Sequence, residues 1–169
     1  MALAGHAVAA WRQDLEFTTI SIVPDDYTLG RVAMGALPYG FAPDIEITLE
    51  DRDLIERKAV VSLAGDAAER HYLEQAGARV DDVLLADQAA HDFASAANIT
   101  RYLCGREDEH NAYLEYLVVR ARVLVEANWH VIEALADAVT EAGSLTWQQA
   151  EPIVGAAYLR PDVKPAGTG

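Results

Sequence analysis

The stretch Met1-Ala-Leu-Ala-Gly-His-Ala-Val-Ala-Ala-Trp11 opens the sequence, and the rest of the chain is organised around it. Alanine dominates this stretch, and its apolar side chains recur at spacings of three and four residues. That spacing predicts an amphipathic helix over residues 2 to 13. His6 lies on the flank of the apolar stripe, where the residues alone favour a half-buried histidine bonded to a backbone group.

Composition limits the size of the core and the class of partner. With 169 residues and 51% hydrophobic content, the chain is long enough for one domain with its own core. We expect this domain to span residues 1 to 158 and a flexible tail, rich in Pro, Gly and Thr, to span 159 to 169. The net charge of -14 argues against nucleic acid and anionic membranes as partners, because clustered Lys and Arg bind both.

The cysteine content indicates the compartment. The single Cys104 cannot form an internal disulfide, and neither a targeting segment nor an apolar run long enough to span a bilayer is visible. We therefore expect a reducing, cytoplasmic setting. The sequence also contains no Gly-x-x-x-x-Gly-Lys-Ser/Thr loop, the usual cradle for a nucleoside triphosphate.

A strand pair is predicted after the first helix. Residues 16 to 23 alternate and are rich in β-branched side chains, and residues 30 to 35 are typical of a returning strand. Asp25 and Asp26 lie between them, where acids after a proline are turn formers in most proteins and metal or substrate ligands in a few. Residues 36 to 47 are irregular and are predicted to form a substrate-edge or oligomer-edge loop.

A capped helix is predicted from Thr48 to Gln75. The Thr48 hydroxyl precedes a first turn that carries acids, which the helix dipole favours. Small residues crowd together at positions 64 to 68. Because glycine inside a helix costs up to about 1 kcal/mol relative to alanine, Gly65 indicates a close contact that a methyl group would block.

The next predicted helix, from Val80 to Leu103, carries a candidate acid. Its apolar stripe consists of Val83, Ala86, Ala90, Phe93, Ala94 and Ala97. Asp87 falls on this stripe, where a carboxylate needs a partner. His91 is one turn further on, so the two side chains can meet. Such an acid is bonded to a helix terminus or an arginine, or else it binds a metal ion.

Two more helices complete the predicted fold. Residues 107 to 142 show the longest apolar repeat and predict one long helix, straight or kinked, that ends at Gly143. Thr146-Trp-Gln-Gln149 is a capping-box pattern that begins a last helix to about Ala157. We therefore predict a mainly α (α+β) protein, a bundle of about five helices with a small β-hairpin or sheet after the first helix.

Several of these segments resemble the protease domain of FtsH-type ATP-dependent zinc metallopeptidases, and the similarity covers nearly the whole chain. The family shows His-Glu-Ala-Gly-His-Ala, then a strand ending in a Val-Pro or Ile-Pro turn, a Gly-Gly-Arg-Ala-Ala-Glu helix and a closing Leu-Thr turn with a Gln or acidic pair. The matching segments here are Ala2-Leu-Ala-Gly-His-Ala7, Ser21-Ile-Val-Pro24, Ala64-Gly-Asp-Ala-Ala-Glu69 and Leu145-Thr-Trp-Gln-Gln149. The order and spacing of the segments carry the resemblance.

The resemblance assigns roles to particular positions. The second zinc-binding His of the family falls on His6, whereas its first His position holds Ala2 and its general-base Glu position holds Leu3. The third ligand of the family, an Asp on the helix after the small-residue helix, falls on Asp87, with Asp82 as the other register. Zinc is thus the cofactor that the resemblance implies.

Two departures from the family change what we expect. The ATPase module and membrane anchor of the family are not found in this sequence, so the resemblance implies a free-standing peptidase-like domain. A catalytic zinc ordinarily has three protein ligands and a water, and His6 with Asp87 supplies two. His91 becomes a third ligand only if its ring turns toward the same point. We therefore expect zinc to be absent or weakly bound and the domain to be catalytically inactive.

The sequence leaves three functions open. The first is a silent relative of the peptidase that serves as an interaction domain, with a second copy, another protein or a peptide as partner. The second is an active zinc endopeptidase whose native protein carries His and Glu at positions 2 and 3. The third is an unrelated helical interaction module. The position of His6 relative to the Asp87 carboxylate decides between the first two and the third.

Overall fold

Helices dominate the computed structural model, which describes residues 1–24, 30–77 and 82–159 and, over 82–88, the backbone alone. The expected mainly helical fold with a small sheet is confirmed, with six α-helices and three strands in the described residues. The elements are α1 (Ala2–Arg12), β1 (Phe17–Ser21), β2 (Arg31–Met34), α2 (Leu49–Gln75), α3 (Asp82–Thr100), a 3₁₀ turn (Arg101–Leu103), α4 (Glu107–Ala127), α5 (Trp129–Ala142), β3 (Ser144–Thr146) and α6 (Trp147–Tyr158).

The sheet has the strand order β2-β1-β3, and both pairings are antiparallel. Ile20 of the central strand lies opposite Val32 on one side and Leu145 on the other. The predicted strand pair is confirmed, but β3 was not expected. A three-residue strand is too short to show the alternation that marks a strand in sequence, and its pairing depends on β1, more than 120 residues earlier.

α1 lies at the centre of the larger core and packs most closely on α2. Its buried side chains are Ala4, Ala7, Val8, Ala9 and Ala10. A Cβ added at Gly5 would lie 2.6 Å from the Ala68 Cβ and 2.8 Å from the Ala64 carbonyl oxygen. The small residues of both helices therefore permit an approach that any larger side chain would prevent.

The two predicted helix caps are confirmed. Thr48 accepts a hydrogen bond from the Asp51 backbone N–H while the Asp51 carboxylate accepts one from the Thr48 N–H, which makes a reciprocal capping box. Thr146 and Gln149 form the same arrangement at the start of α6. These local hydrogen bonds fix where α2 and α6 begin.

The long helix predicted over residues 107 to 142 is two helices. Asn128 interrupts it with φ -117° and ψ 20°, outside the helical region. The Asn128 side chain donates to the Leu124 carbonyl at 2.7 Å, so it satisfies a carbonyl at the end of α4. α4 and α5 can therefore take different directions.

The apolar face predicted for α3 is wrong at three of its four described positions; Ala97 packs against the core, and the side chains of Val83 and Ala86 lie outside the described residues. Ala90, Phe93 and Ala94 are exposed, whereas Ala96 and Thr100 are fully buried. The Thr100 hydroxyl donates to the Ala96 carbonyl, which satisfies it inside the core. Alanine-rich helices bury little area on any face, so the apolar pattern of this helix was a weak guide to its orientation.

Some predicted features lie outside the described residues. These are Asp25 and Asp26, the first residue of the predicted third helix, Val80, and the tail from residue 160 onward. Within the described residues, no helix has both the length and the apolarity needed to cross a membrane.

Candidate functional site

His6 lies where α1 crosses α2 and faces α3. Its Nδ1 is 2.8 Å from the Val61 carbonyl oxygen of α2, and its Nε2 is 3.1 Å from Oδ2 of Asp92 on α3. The His6 side chain is 16% exposed and that of Asp92 is 23% exposed. One imidazole ring thus connects three helices near the protein surface.

Gly65 provides the space that this ring occupies. A Cβ added at Gly65 would overlap the His6 imidazole. The close contact predicted from the glycine in the middle of α2 is therefore confirmed, and the group in contact with it is His6. The packing allows the imidazole to lie flat against the α2 backbone, within reach of the Val61 carbonyl.

Both ring nitrogens of His6 face hydrogen-bond acceptors. A carbonyl oxygen only accepts, so Nδ1 carries a proton, and an ionised carboxylate opposite Nε2 favours a second proton there. Burial lowers the pKa of His6, but the hydrogen bond to Asp92, the charge of that carboxylate and the hydrogen bond to the Val61 carbonyl together outweigh it. The His6 pKa consequently lies above its ordinary value of 6.5.

Ala2 and Leu3 can neither bind a metal ion nor accept a proton. Ala2 lies one turn before His6 in α1, where its methyl group can neither bind a metal nor carry a proton. Leu3 packs against the core, and a Cβ added at Gly30 would lie 2.8 Å from its Cδ1. The general-base position of the resemblance is thus an apolar anchor that holds α1 against the start of β2.

A catalytic zinc needs three protein ligands, and the described side chains do not supply three around His6. Within the described side chains, no group of three or more His, Cys, Asp or Glu is arranged to hold a metal ion. Two ligands of one tetrahedral zinc lie about 3.3 to 3.4 Å apart, given bonds of about 2.0 to 2.1 Å. The 3.1 Å between His6 Nε2 and Asp92 Oδ2 falls within the range of an ordinary N–H···O hydrogen bond, which needs no ion between the two groups.

The other candidate ligands are Asp87, Asp82 and His91, and only the side chain of His91 is described. The side chains of Asp87 and Asp82 lie outside the described residues, so their distance from His6 stays a prediction. His91 is exposed and precedes Asp92 by one residue. Because consecutive helical residues point about 100° apart, His91 does not share the direction that takes Asp92 to His6.

Asp92 is the partner of His6 that the sequence did not indicate. It lies on α3 with Ala96 and Ile99 at i+4 and i+7, on the side of the helix that faces the core. The spacing of these residues was a usable signal, but it competed with the alanine-rich stripe through Phe93. Only the packing of α3, chiefly against α2, distinguishes the two faces.

The pair links two helices. An imidazole whose two nitrogens both donate hydrogen bonds has no free lone pair for a metal ion. In this arrangement His6 and Asp92 form a partly buried ion pair between α1 and α3. Its contribution to the free energy of unfolding depends on whether hydrogen bonds compensate both charges for the water that they lose.

Comparison with known proteins adds no relative. No family model matches the sequence, and none of the curated proteins is significantly similar to it.

Proposed function

We propose that this chain is a zinc-metallopeptidase-like domain of the FtsH type that does not cleave peptides and serves as an interaction domain in the cytoplasm. The observation that supports it is the meeting of His6 from the first helix with a carboxylate from α3 at 3.1 Å. In the resembled site, a His of the first helix and an Asp of a later helix share one metal ion. Here the acid that meets His6 is Asp92, five residues beyond the expected Asp87.

The remaining positions support a silent site. Ala2 and Leu3 stand where the family has a zinc ligand and the general base, and Leu3 is committed to apolar packing. A zinc peptidase needs an activated water and a group to take its proton. In this proposal zinc is therefore bound weakly or not at all. The partner is a second copy of the chain, or another protein or peptide that the domain binds without cleaving it.

A metal titration with a rescue variant tests this proposal. The wild-type protein should retain well below one zinc per chain after dialysis, measured by plasma mass spectrometry, and should not cleave casein. Replacing Ala2 with His and Leu3 with Glu in one variant should raise the zinc content toward one per chain. His at positions 2 and 6 lies one turn apart on one helix face, the spacing at which two imidazoles bind one zinc.

The control removes the acid that meets His6. In the rescue variant, Asp92→Ala should abolish the gained zinc, whereas Asp108→Ala, at an exposed site on α4, should leave it unchanged. One tightly held zinc in the wild type would overturn the silent-site proposal and favour an active peptidase. A rescue variant that folds, by circular dichroism, but gains no zinc would overturn the peptidase ancestry.

A second candidate is a helical interaction module with no peptidase ancestry. Tyr116, Val119 and Val123 recur at three and four residues on α4, and each is about half exposed. Such an apolar stripe on a helix surface is typical of a protein contact. Failure of the zinc rescue, together with loss of self-association in a Val119→Ser and Val123→Ser variant by analytical ultracentrifugation, would favour this candidate.

A further inference from the structure

We propose that a cavity between α2, α3 and α4 binds a small amphiphilic amine, a molecule with an ammonium group joined to an aromatic or other apolar body. The proposal stands independently of the proposed function, because it requires no metal and is tested at Glu74 and Phe93, although Asp92 lines the cavity as well as facing His6. It rests on the size of the cavity, its apolar wall and its excess of carboxylates.

The cavity has a volume of about 230 Å³. Its apolar wall includes Leu63 and Ala67 of α2, Phe93 of α3 and Val118 of α4. An apolar cavity of about 150 Å³ holds one benzene molecule, so by proportion this one accommodates about nine non-hydrogen atoms. That size excludes a folded partner inside it and corresponds to a small molecule with one ring.

Part of the wall is apolar surface left in contact with water. Phe93 is 46% exposed and Val118 is 42% exposed, although both line the cavity. A ligand ring seated between them would cover this surface, and burial of apolar area favours binding. The Phe93 ring also presents a face to which a nearby cation is attracted.

Charged groups at the cavity wall favour a cationic ligand. Among the described residues of the wall, carboxylates outnumber guanidinium groups by four to two; the carboxylates are those of Asp66, Glu74, Asp92 and Glu126. Both guanidinium groups have an acid on their own helix, since Arg70 donates to Asp66 at 2.8 Å and Arg122 lies 3.8 Å from Glu126. Each guanidinium group therefore offsets one of these carboxylates, which leaves Asp92, bonded to His6, and Glu74.

Glu74 is the carboxylate best placed to take a new cation. Asp92 already faces His6, and within the described part of the chain no cation lies at ion-pair distance from Glu74. Glu74 follows Ala67 by seven residues on α2, two helical turns or about 10 Å. An ammonium group at Glu74 can thus belong to a molecule whose ring lies near Ala67 and Phe93.

Three phenyl ligands of similar shape and different charge test the proposal. The ligands are 2-phenylethylamine, 2-phenylethanol and 3-phenylpropionate, each titrated into the ¹⁵N-labelled full chain and followed by ¹H–¹⁵N correlation spectra. The amine should bind with a Kd on the order of 100 µM, the alcohol more weakly, and the propionate most weakly. Shifted amides should cluster in α2, α3 and α4.

The indole N–H signal of Trp129 provides a specific reporter. The Trp129 ring meets the ring of His71 at 4.5 Å between centroids, and His71 lines the cavity. The indole signals of Trp11 and Trp147, which contact Tyr158 and Phe17 respectively, should not move.

Variants at exposed positions separate binding from folding. Glu74→Gln should weaken binding of the amine about threefold to fivefold, as expected for removal of one exposed charge, and should leave binding of the alcohol unchanged. Phe93→Ala should weaken both ligands. Glu115→Gln, an exposed acid on α4 that does not line the cavity, is the matched control and should change neither.

Two results would overturn the proposal. Equal binding of the amine, alcohol and propionate, or equal binding of the amine to the wild type and Glu74→Gln, would show that the carboxylates do not select the charge of the ligand. Shifts that spread over the whole chain, or no shifts up to about 5 mM ligand, would show that the cavity does not bind this class of molecule.

Discussion

Two of the polar junctions between helices differ in how much water each retains. In the first, His6 meets Asp92 and the Val61 carbonyl over Gly65. In the second, the Glu56 carboxylate of α2 accepts hydrogen bonds from Tyr113 and Arg120 of α4. The His6 and Asp92 side chains are 16% and 23% exposed, whereas those of Glu56 and Arg120 are 32% and 37% exposed.

Because of this difference in exposure, the number of hydrogen bonds does not determine which junction contributes more to stability. Each has one carboxylate with strong donors, but water can replace a lost partner more readily at Glu56 than at His6. The His6 junction is also sterically fixed by Gly65, and no such constraint acts at Glu56. We therefore expect changes near His6 to cost much more stability than changes near Glu56.

The largest effect should come from Gly65→Ala. The added methyl group overlaps the His6 ring, so the ring must move and lose its bonds to Val61 and Asp92. Overpacking costs about 1 to 3 kcal/mol, and the lost bonds add to it, while the better helix propensity of alanine returns up to about 1 kcal/mol. Urea unfolding should show a loss of about 3 kcal/mol.

Gly155→Ala is the matched control for this prediction. Gly155 lies inside α6, and a Cβ there would have no neighbour within 4 Å. This variant should be more stable than the wild type by about 0.5 to 1 kcal/mol. Equal stability changes in the two variants would show that His6 does not fill the space above Gly65.

The next largest effect should come from Asp92→Ala. It leaves one N–H of a mostly buried imidazole without its partner, which costs about 1 to 2 kcal/mol. Urea unfolding at neutral pH measures the change. Asp108→Ala removes an acid from the exposed pair with Arg106 and should leave the unfolding midpoint unchanged.

A smaller effect should appear as pH dependence. The His6 pKa is raised above 6.5 in the folded state, so its contribution to stability is complete below 6.5 and is lost as pH rises through the folded pKa. Asp92→Asn keeps the size of the side chain and removes its charge. The stability difference between the wild type and Asp92→Asn should therefore be larger at pH 5.5 than at pH 9, and an unchanged difference would contradict an imidazolium at position 6.

Local signals made much of this fold predictable. Thr48 and Thr146 carry capping boxes within four residues of sequence, and Gly143, with φ 74°, ends α5 as expected. The Gly65 contact was also predictable, because an interior helical glycine is costly unless something needs the space. These features depend on neighbouring residues, which a single sequence displays directly.

Features that depend on distant segments were not predictable. β3 forms on the edge of β1, and the break at Asn128 has neither Pro nor Gly to mark it. Of the acids on α3, the selection of Asp92 depends on the rotation of that helix against α1 and α2. The identity of the group facing Gly65 likewise emerged only from the crossing of α1 and α2.

The smallest effect should come from Tyr113→Phe at the second junction. The Tyr113 hydroxyl donates to Glu56 at 2.6 Å, and burial together with this bond raises the pKa of Tyr113. Phenylalanine removes the hydroxyl, but Glu56 keeps Arg120 and gains access to water, so the cost should be about 0.5 kcal/mol by urea unfolding. If Tyr113→Phe lowers the free energy of unfolding as much as Asp92→Ala does, the exposure of Glu56 does not reduce the effect of the lost hydrogen bond. Access of water would then not explain a difference in stability between the two junctions.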